Sequence, residues 1–363
     1  MSGQMVHIGI DIHQARLVWC AVDSDGRVLD RGSAWARPAS AAKLARRWVK
    51  QYGAVCTWYE AGPCGYWLHR LLEHEGIASR VVAPGLTPVR PGERVKTDRR
   101  DAEKLAVMGM RGMLQAVYVP DREHEGMREL LRLRMRRRDE VRRAKTLITH
   151  FLNRRGIAYR DGKRWTKRHR RWLSRLRVAW PAQVAFEELV AELEAAEERL
   201  RRVEARLRGV LKKGRWWKLA QALQALRGVG VWTALTVALE AGDLRRFKSA
   251  EAFASWAGLV PGEQSSGERV RRGRITKRGN RHVRWALVEA AWVITRRLRS
   301  AGAKAKALGA EERIAKIAEG ADEHLHNKYW RLVCRRKPAA VAAVAVAREL
   351  AEVLWKIGRL VEV

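Results

Sequence analysis

The sequence is poor in cysteine, and the few cysteines present are not arranged for a disulfide or metal framework. Cys20, Cys56, Cys64 and Cys334 form no C-x-x-C pair and no cysteine–histidine spacing typical of zinc sites. We therefore predict that the four cysteines are small buried hydrophobic residues of a protein in a reducing cytoplasm. A disulfide-rich secreted fold and a zinc-finger fold are both excluded.

Long apolar runs are also missing. The N-terminal residues MSGQMVHIGIDIH lack the charged segment and apolar run of a signal peptide. The most apolar stretch, AAVAAVAVA at 339–347, is too short to cross a bilayer. We therefore expect a soluble cytoplasmic protein with no membrane partner.

Acidic residues are scarce relative to basic ones. The 363 residues include 74 Lys and Arg against 39 Asp and Glu, a net charge of +35. Residues 1–120 carry only +6 of this charge, and the remainder carries +29. A charge of this size indicates a polyanionic partner, and its uneven distribution indicates that the first third is a different kind of domain.

Residues 1–120 have the pattern of an α/β domain. Apolar β-branched runs predict strands, glycine and polar clusters predict turns, and the order is βββαβαβα, typical of a sheet with helical cover. The predicted strands are 6–12, 16–22, a segment around Val28, 54–60 and 79–84, and the predicted helices are 41–52, 66–76 and 97–112.

Residues 121–363 have a helical pattern. Two long heptad-like segments, 127–156 and 184–214, predict a helical hairpin or coiled coil within a basic region at 121–215. Between them, residues 160–177 contain nine basic residues, one acid and two tryptophans. This composition favours a nucleic-acid surface over an ordinary solvated face. The candidate contact residues there are Arg164, Lys167, Arg168, Arg170 and Arg171.

Residues 216–363 predict a mainly α-helical C-terminal domain. At 223–242, LQALRGVGVWTALTVALEAG predicts a helix, a glycine turn and a second helix. This resembles a helix-hairpin-helix motif, whose backbone N–H groups can face a phosphate. An ordinary turn between two helices explains the glycines equally well.

Four acids in the first domain form a candidate metal site. Asp11 lies within the first predicted strand, where a charge is costly unless it is paired or metal-bound. Glu60 ends a later strand, and Asp98 and Asp101 share one helix face. Hard carboxylate ligands favour Mg²⁺, with Mn²⁺ as an alternative. The competing interpretations are a favourable helix N-terminus for the two aspartates and an ordinary surface acid for Glu60.

The segment GEQSSGERVRRGRITKRGN at 262–280 places two serines among basic residues. Considered alone, it favours a flexible solvated loop, because serine and glycine are common turn residues. The alternative is a nucleophilic serine beside a phosphate, which requires an activating base or metal. The basic residues that would hold a DNA backbone are Arg271, Arg272, Arg274, Lys277 and Arg278.

Several of these motifs together resemble one family, the DEDD transposases of a large bacterial insertion-sequence family related to the Piv invertase (the IS one-ten family), which are bridge-RNA-guided recombinases. The resemblance covers nearly the whole chain, and the pairing of KTD-x-x-DA-x-x-LA with a downstream SG and ITK-x-GN is highly specific. It is carried by HIGIDIH, YEAGPCGYWLHRLL, VKTDRRDAEKLA, LRGVGVWTALTVALEAGDLRRFKSAEAFASWAGLVP, SSGERVRRGRITKRGN and AVAVARELAEVLW.

The resemblance implies an RNA-guided DNA recombinase with a RuvC-like RNase H fold at 1–120, a coiled-coil region at 121–215 and a C-terminal transposase domain at 216–363. It places the family's DEDD residues on Asp11, Glu60, Asp98 and Asp101, and its nucleophilic serine on Ser266, with Ser265 as the adjacent alternative and Thr276 as a remote third.

It also implies partners and a location. These are donor and target DNA, a guide (bridge) RNA, a homodimer that assembles to a tetramer with a composite site, and the nucleoid of a prokaryotic cell. Two other functions remain open: a hydrolytic RNase H-fold nuclease, such as a Holliday-junction resolvase that uses metal-activated water, and a noncatalytic nucleic-acid scaffold.

Overall fold

The computed structural model describes residues 5–84, 97–212, 214–263, 272–296 and 302–362. The chain divides into two compact units, Met1–Pro120 and Asp121–Val363. A further boundary at residue 215 stays a prediction.

The first unit contains a five-stranded mixed sheet in the order β3-β2-β1-β4-β5. Strand β1 pairs antiparallel with β2 and parallel with β4, β2 pairs antiparallel with β3, and β4 pairs parallel with β5. The elements in chain order are β1 (Val6–Ile12), β2 (Arg16–Val22), β3 (Val28–Trp35), α1 (Pro38–Tyr52), β4 (Val55–Glu60), α2 (Trp67–His74), β5 (Ala78–Val82) and α3 (Asp98–Met110).

Strand β1 is apolar on one face and carries small or polar side chains on the other. Ile8 and Ile10 are fully buried in the core that includes side chains of α1 and α2. Because successive side chains of a strand point to opposite faces, Gly9 and Asp11 belong to the face that α3 covers. A Cβ atom on Gly9 would lie 2.0 Å from the Ala102 carbonyl oxygen of α3. The backbones of β1 and α3 are therefore in direct contact.

The C-terminal end of α3 is also held close to the sheet by a glycine. Gly109 lies against the Trp58 indole of β4, and a Cβ on Gly109 would come within 2.5 Å of that ring. The helix is thus held close to the sheet by one glycine of the strand and one of its own.

The α/β prediction for this unit is confirmed, with element ends that differ by a few residues. The five-strand mixed sheet with helices is the RNase H-like arrangement that the resemblance implied. The predicted order of strands and helices, βββαβαβα, is the observed one.

The second unit is mainly helical. Its elements are α4 (Arg122–Asn153), α5 (Lys167–Arg175), α6 (Ala182–Leu211), α7 (Trp216–Leu223), α8 (Val231–Ala241), α9 (Ala250–Trp256), β6 (Pro261–Glu263), β7 (Arg272–Ile275), α10 (Arg281–Ile294), α11 (Ala303–Ala307), α12 (Glu312–Cys334) and α13 (Ala339–Gly358).

The long helices α4 and α6 pack against each other and confirm the predicted helical hairpin. One end of the pair has its own apolar core, in which Ile148 and Phe151 of α4 meet Phe186 and Leu193 of α6. The other end joins the large core of the unit through residues such as Leu131 and Leu207.

The predicted helix–turn–helix at 223–242 is found with its first helix placed earlier in the chain. Helix α7 ends at Leu223, residues 224–230 form the turn, and α8 follows as predicted. Gly228 adopts a positive φ of 81°, and a Cβ there would meet the Ala290 carbonyl oxygen at 2.4 Å. Glycine is therefore required in this turn both for its backbone conformation and for the close approach of α10.

Three sequence-based expectations need correction. The segment at 262–280 is not simply a loop, because it contains part of β6 and all of β7, which pair as antiparallel strands. Helix α12 was not assigned from the sequence. Cys20 and Cys56 are buried as expected, but Cys334, at the end of α12, is exposed and Cys64 is only half-buried. In the part of the chain that the structure describes, no helix combines the length and apolar character needed to cross a membrane.

Candidate active site

The end of β1 brings Asp11 next to Glu60. Ile10 of β1 pairs with Tyr59 of the parallel strand β4, so the following residue of each strand lies at the same edge of the sheet. Tyr59 is buried in the core on the α1 and α2 side. By alternation, Glu60 and Asp11 both belong to the α3 face.

The first turn of α3 contributes the other two predicted acids. Thr97 is the N-cap, and its hydroxyl oxygen accepts a hydrogen bond from the Arg100 backbone N–H at 3.4 Å. Asp98 and Asp101 follow within this first turn. The positive end of the helix dipole favours acids here, so the same local sequence that starts the helix also places carboxylates near the sheet edge.

Asp11 and Asp98 meet at a histidine that sequence reasoning did not single out. The His13 Nε2 atom lies 3.2 Å from Asp11 Oδ2 and 3.6 Å from Asp98 Oδ1. One ligand atom from each of these three residues lies within 4.8 Å of the other two. The available signal was the Asp-Ile-His spacing, because residues two apart at a strand end can share a face.

Glu60 and Asp101 are not members of this close group. Asp101 nevertheless acts on it electrostatically. Burial raises the pKa of Asp11, His13 opposes that shift, and the nearby charges of Asp98 and Asp101 add to it. The structure therefore brings Asp11 and Asp98 together directly, and Asp101 at longer range.

The donor set fits a divalent cation. Two carboxylates and an imidazole are common ligands of such ions. A cation would also offset the mutual repulsion of the acids and the burial of Asp11, whose side chain is 23% exposed. Asp11, Asp98 and His13 are the residues placed to hold it.

The second predicted site falls partly outside the described residues. Ser265, Ser266 and Arg271 belong to the segment 264–271 and are not described. Strands β6 and β7 flank this segment and pair through Pro261 with Ile275. The backbone of Arg272 lies in β7, and Arg274, Thr276, Lys277 and Arg278 are exposed.

The base of this hairpin is fastened to the end of α9 by backbone hydrogen bonds. The N–H groups of Thr276, Lys277 and Asn280 donate to the carbonyl oxygens of Val260, Gly258 and Trp256 at 2.9, 3.2 and 2.9 Å. Gly279, at a φ of 109°, lies so close to Trp256 that a Cβ would be 2.0 Å from its carbonyl oxygen. The exposed basic side chains therefore project from a defined backbone.

The basic run at 160–177 is centred on α5. Arg164, Lys167, Arg168 and Arg171 are exposed, as a nucleic-acid surface requires. Arg170 differs from them, because its guanidinium donates to Glu197 of α6 at 2.5 Å. Arg170 thus connects two helices, and four of the five predicted contact residues remain exposed.

The tryptophans of this run are packed instead of being open for base stacking. The rings of Trp165 and Trp172 lie 5.1 and 5.6 Å from the His169 ring. Tyr159 completes the cluster, with its ring 4.6 Å from that of His169. The aromatic interleaving noted in the sequence therefore forms a small core that supports the basic surface.

Two protein families match different parts of this chain. Residues 8–155 match the DEDD transposase domain family of IS110, and residues 220–307 match the transposase IS116/IS110/IS902 family. The first match contains Asp11, Glu60, Asp98 and Asp101, and the second contains α8, both hairpin strands and α10.

Similar proteins extend over almost the whole chain. The Sinorhizobium fredii protein y4qE, which is named as a transposase, is 37% identical over 361 residues, covering 97% of this chain and 88% of that protein. The transposase for insertion sequence element IS1533 of Leptospira borgpetersenii is 26% identical, covering 92% and 98%. The transposase for IS1111A of Coxiella burnetii is 25% identical, covering 81% and 79%.

The carboxylate site and the C-terminal helical unit thus match two parts of one family, and a DEDD domain of this kind implies a divalent metal. The chain belongs to the IS116/IS110/IS902 family of transposases, enzymes that cleave and transfer DNA strands.

Proposed function

We propose that this transposase is an RNA-guided recombinase that cuts one DNA strand with Ser266 and rejoins it to a new partner strand. The Ser266 oxygen forms a bond to phosphorus while the bond to the leaving sugar oxygen breaks. The serine hydroxyl loses its proton, and the leaving oxygen gains one. Attack by a sugar hydroxyl of the partner strand reverses these steps and releases the serine.

The observation that supports this proposal most is the group formed by Asp11, His13 and Asp98. A divalent ion, Mg²⁺ or alternatively Mn²⁺, would there polarise a phosphate and favour loss of a hydroxyl proton. Glu60 follows Tyr59 at the sheet edge where Asp11 follows Ile10, and Asp101 shares the first turn of α3 with Asp98. These positions support including Glu60 and Asp101 in the proposed DEDD set.

The exposed side chains of the hairpin support a DNA contact. Arg274, Lys277 and Arg278 are exposed on a backbone that is fixed to α9. Together with Arg271 and Arg272, they would hold the DNA backbone and offset the charge that develops at the phosphate. In the sequence, Ser265 and Ser266 lie between β6 and these basic residues.

The exposed basic residues around α5 support binding of a guide RNA. The exposed residues of α5 and its preceding loop form a sequence-independent basic surface, suited to the backbone of a structured RNA. Base pairing by that RNA would then select donor and target sites. The assembled enzyme is proposed to be a tetramer built from dimers.

Trapping of the covalent intermediate tests the nucleophile. Incubation with a labelled donor DNA and the copurified RNA should give a protein–DNA adduct that is lost in Ser266→Ala and retained in Ser265→Ala. The reverse pattern would assign the chemistry to Ser265. Free nicked product from both variants, without an adduct, would contradict the proposal and favour metal-activated water as the nucleophile.

Substitution of Asp11 tests the metal site separately. Asp11→Asn should reduce metal-dependent cleavage by more than about 100-fold, because the variant has one ligand and one negative charge fewer. Asp25→Asn, at an exposed turn before β3, is the matched control and should cleave normally. Unchanged cleavage by Asp11→Asn would show that Asp11 does not hold the metal of the reaction, whereas absence of cleavage in wild type as well would favour the noncatalytic scaffold.

A further inference from the structure

A buried carboxylate lies at the centre of the second unit. Glu240 belongs to α8, and its side chain is 0% exposed. Its neighbours in the helix, Val237, Ala238, Leu239 and Ala241, are buried and apolar. An isolated charge in such a core is strongly unfavourable, so the carboxylate must be fully paired.

Three side chains from two other parts of the unit provide that pairing. Arg132 of α4 donates through Nε and Nη2, both at 2.7 Å, and Arg128 of the same helix donates at 3.3 Å. The Asn280 Nδ2 group donates to Glu240 Oε2 at 2.8 Å. Glu240 therefore joins α4, α8 and the residue that precedes α10.

Asn280 uses both ends of its amide group. While Nδ2 donates to Glu240, Oδ1 accepts hydrogen bonds from the backbone N–H groups of His282 and Val283, both at 3.0 Å. Asn280 is thus the N-cap of α10. Because Glu240 can only accept from this amide, it determines which end of the amide caps the helix.

Asn280 also ends the segment that contains β7 and the exposed cations. Its backbone N–H donates to the Trp256 carbonyl oxygen, next to the two other hydrogen bonds that fasten the hairpin. The position of the Asn280 side chain and the position of the hairpin base are therefore set together. In the sequence, Ser265 and Ser266 follow β6 after one intervening residue, Gln264.

We propose that Glu240 is a positioning residue for strand transfer, which acts through Asn280 to hold the β6–β7 hairpin in its reactive orientation. This inference rests on the proposed function of that hairpin. Glu240 has no direct contact with DNA in this proposal. Its contribution is to the rate of the bound complex and not to DNA affinity.

A reciprocal substitution provides the test. Asn280→Asp retains a capping oxygen but places a second carboxylate against Glu240, and Glu240→Gln removes the acceptor charge. We expect each to lower kcat for strand transfer at least 10-fold while KM for DNA changes less than twofold. In the double variant Glu240→Gln/Asn280→Asp, the amide and carboxylate exchange places and the contact between positions 240 and 280 is restored, although position 240 accepts fewer hydrogen bonds from Arg128 and Arg132. The kcat of the double variant should therefore rise at least threefold above that of either single variant.

A matched control separates positioning from general stability. Glu204 of α6 pairs with Arg134 of α4 at 2.8 Å, in the same unit, and neither residue belongs to the hydrogen bonds described for the hairpin base. Glu204→Gln should keep wild-type kcat even if its melting temperature falls as much as that of Glu240→Gln. An equal loss of kcat in both variants, or no rescue in the double variant, would overturn the proposal.

Hydrogen exchange of the backbone amides tests the positioning role without depending on the serine chemistry. The amides of Thr276, Lys277 and Asn280 should exchange faster in both single variants than in wild type and Glu204→Gln. Unchanged exchange and unchanged transfer in folded single variants would show that Glu240 has no positioning role. If wild type instead transfers strands without a protein–DNA adduct, the serine mechanism fails, whereas the exchange result still tests the positioning role.

Discussion

His13 changes the chemistry expected from an acidic site, because it adds a nitrogen donor to oxygen donors. Its Nε2 atom is close to both Asp11 and Asp98, which are the two acids that the structure brings together. Imidazole favours later transition metals, whereas carboxylates alone favour Mg²⁺ and Mn²⁺. In the proposed metal site, this single residue just after β1 would therefore adjust which ions can bind.

Substitution of His13 should separate these ions. His13→Ala is expected to weaken Co²⁺ binding about 10-fold because a nitrogen ligand is removed, while Mg²⁺-dependent cleavage changes much less. Calorimetric titration with each ion measures the effect, and His74→Ala, at the end of α2, is the control. Equal Co²⁺ affinity in wild type and His13→Ala would show that the imidazole is not a ligand.

Gly9 should tolerate no side chain. In Gly9→Ala the new methyl group would meet the Ala102 oxygen and the Ala106 nitrogen of α3, so the helix has to shift. We expect a loss of about 1–3 kcal/mol in the free energy of unfolding, as in other overpacked cores.

Urea unfolding measures this loss of stability. Gly126→Ala is the control, and its expected effect on stability has the opposite sign. Gly126 is a residue of α4, and among the described residues no atom outside its own stretch of helix lies within 4 Å of its Cβ position, so alanine there should stabilise the protein by about 0.5–1 kcal/mol. A Gly9→Ala variant as stable as wild type would contradict the close contact of α3 with β1.

The basic run around α5 contains exposed residues, which we propose to bind RNA, and one residue that supports the fold. Arg164, Lys167, Arg168 and Arg171 are exposed, whereas Arg170 pairs with Glu197. Replacement of the four exposed residues by glutamine should weaken RNA binding. The slope of log affinity against log salt should become shallower by about 0.7 for each RNA phosphate that the variant no longer neutralises.

Arg170→Gln should act on folding instead. Lys145 still pairs with Glu197 at 3.2 Å, so the expected loss is about 1–2 kcal/mol of unfolding free energy, with the salt slope of RNA binding unchanged. Filter binding over a salt series, with thermal melts in parallel, compares the two variants. A shallower slope for Arg170→Gln alone would place the RNA-binding surface at Arg170.

The elements that were predicted correctly have strong local patterns. The alternation in VHIGIDI predicted β1, and the heptad-like segments predicted α4 and α6. Strands β6 and β7 were missed because they are only three and four residues long and contain glycine. Local periodicity is therefore enough for long elements and insufficient for short pairs.

Hydrogen bonds between side chains that are distant in the sequence could not be predicted, for a different reason. Arg170 and Glu197 are 27 residues apart, and Asn280 and Glu240 are 40 residues apart. Nothing in either local sequence distinguishes these side chains from their exposed neighbours. Convergence of Asp11 and Asp98 was predictable because strand order constrains sheet edges, whereas the place of His13 depended on its rotamer.

The two units of the molecule differ in charge as well as in architecture. Residues 1–120 carry +6 and contain the acidic group, whereas the rest of the chain carries +29. Within the larger unit, the many cations favour pairing of a buried carboxylate, and Glu240 is held by two arginines. The acid stability of the whole protein should therefore depend on such pairs.

Glu240 gives a specific pH dependence. Burial acts to raise its pKa, but the hydrogen bonds and charges of Arg132 and Arg128 outweigh burial and lower the pKa below its ordinary value of 4.5. Since the folded pKa is below the unfolded one, the stabilisation is present above about pH 4.5 and is lost as pH falls through the folded pKa.

Unfolding free energies from pH 7 to pH 3 measure this effect. The difference in stability between wild type and Glu240→Gln should be constant near neutral pH and become smaller below pH 4.5, the ordinary pKa of the carboxyl. A difference that stays constant down to pH 3 would show that the pKa of Glu240 is not lowered.

The contact of α3 with β1 has a consequence for the coordination shell of any bound cation. Because backbone rests on backbone at Gly9, α3 cannot move closer to the sheet, and the carboxylates of Asp98 and Asp11 could close around an ion only by rotation of their side chains. A Mg²⁺ ion held by so few protein ligands would keep part of its water, as it commonly does in proteins. Phosphate oxygens could replace those waters, so a residue without a side chain would help to set how much of the ion is available to the substrate.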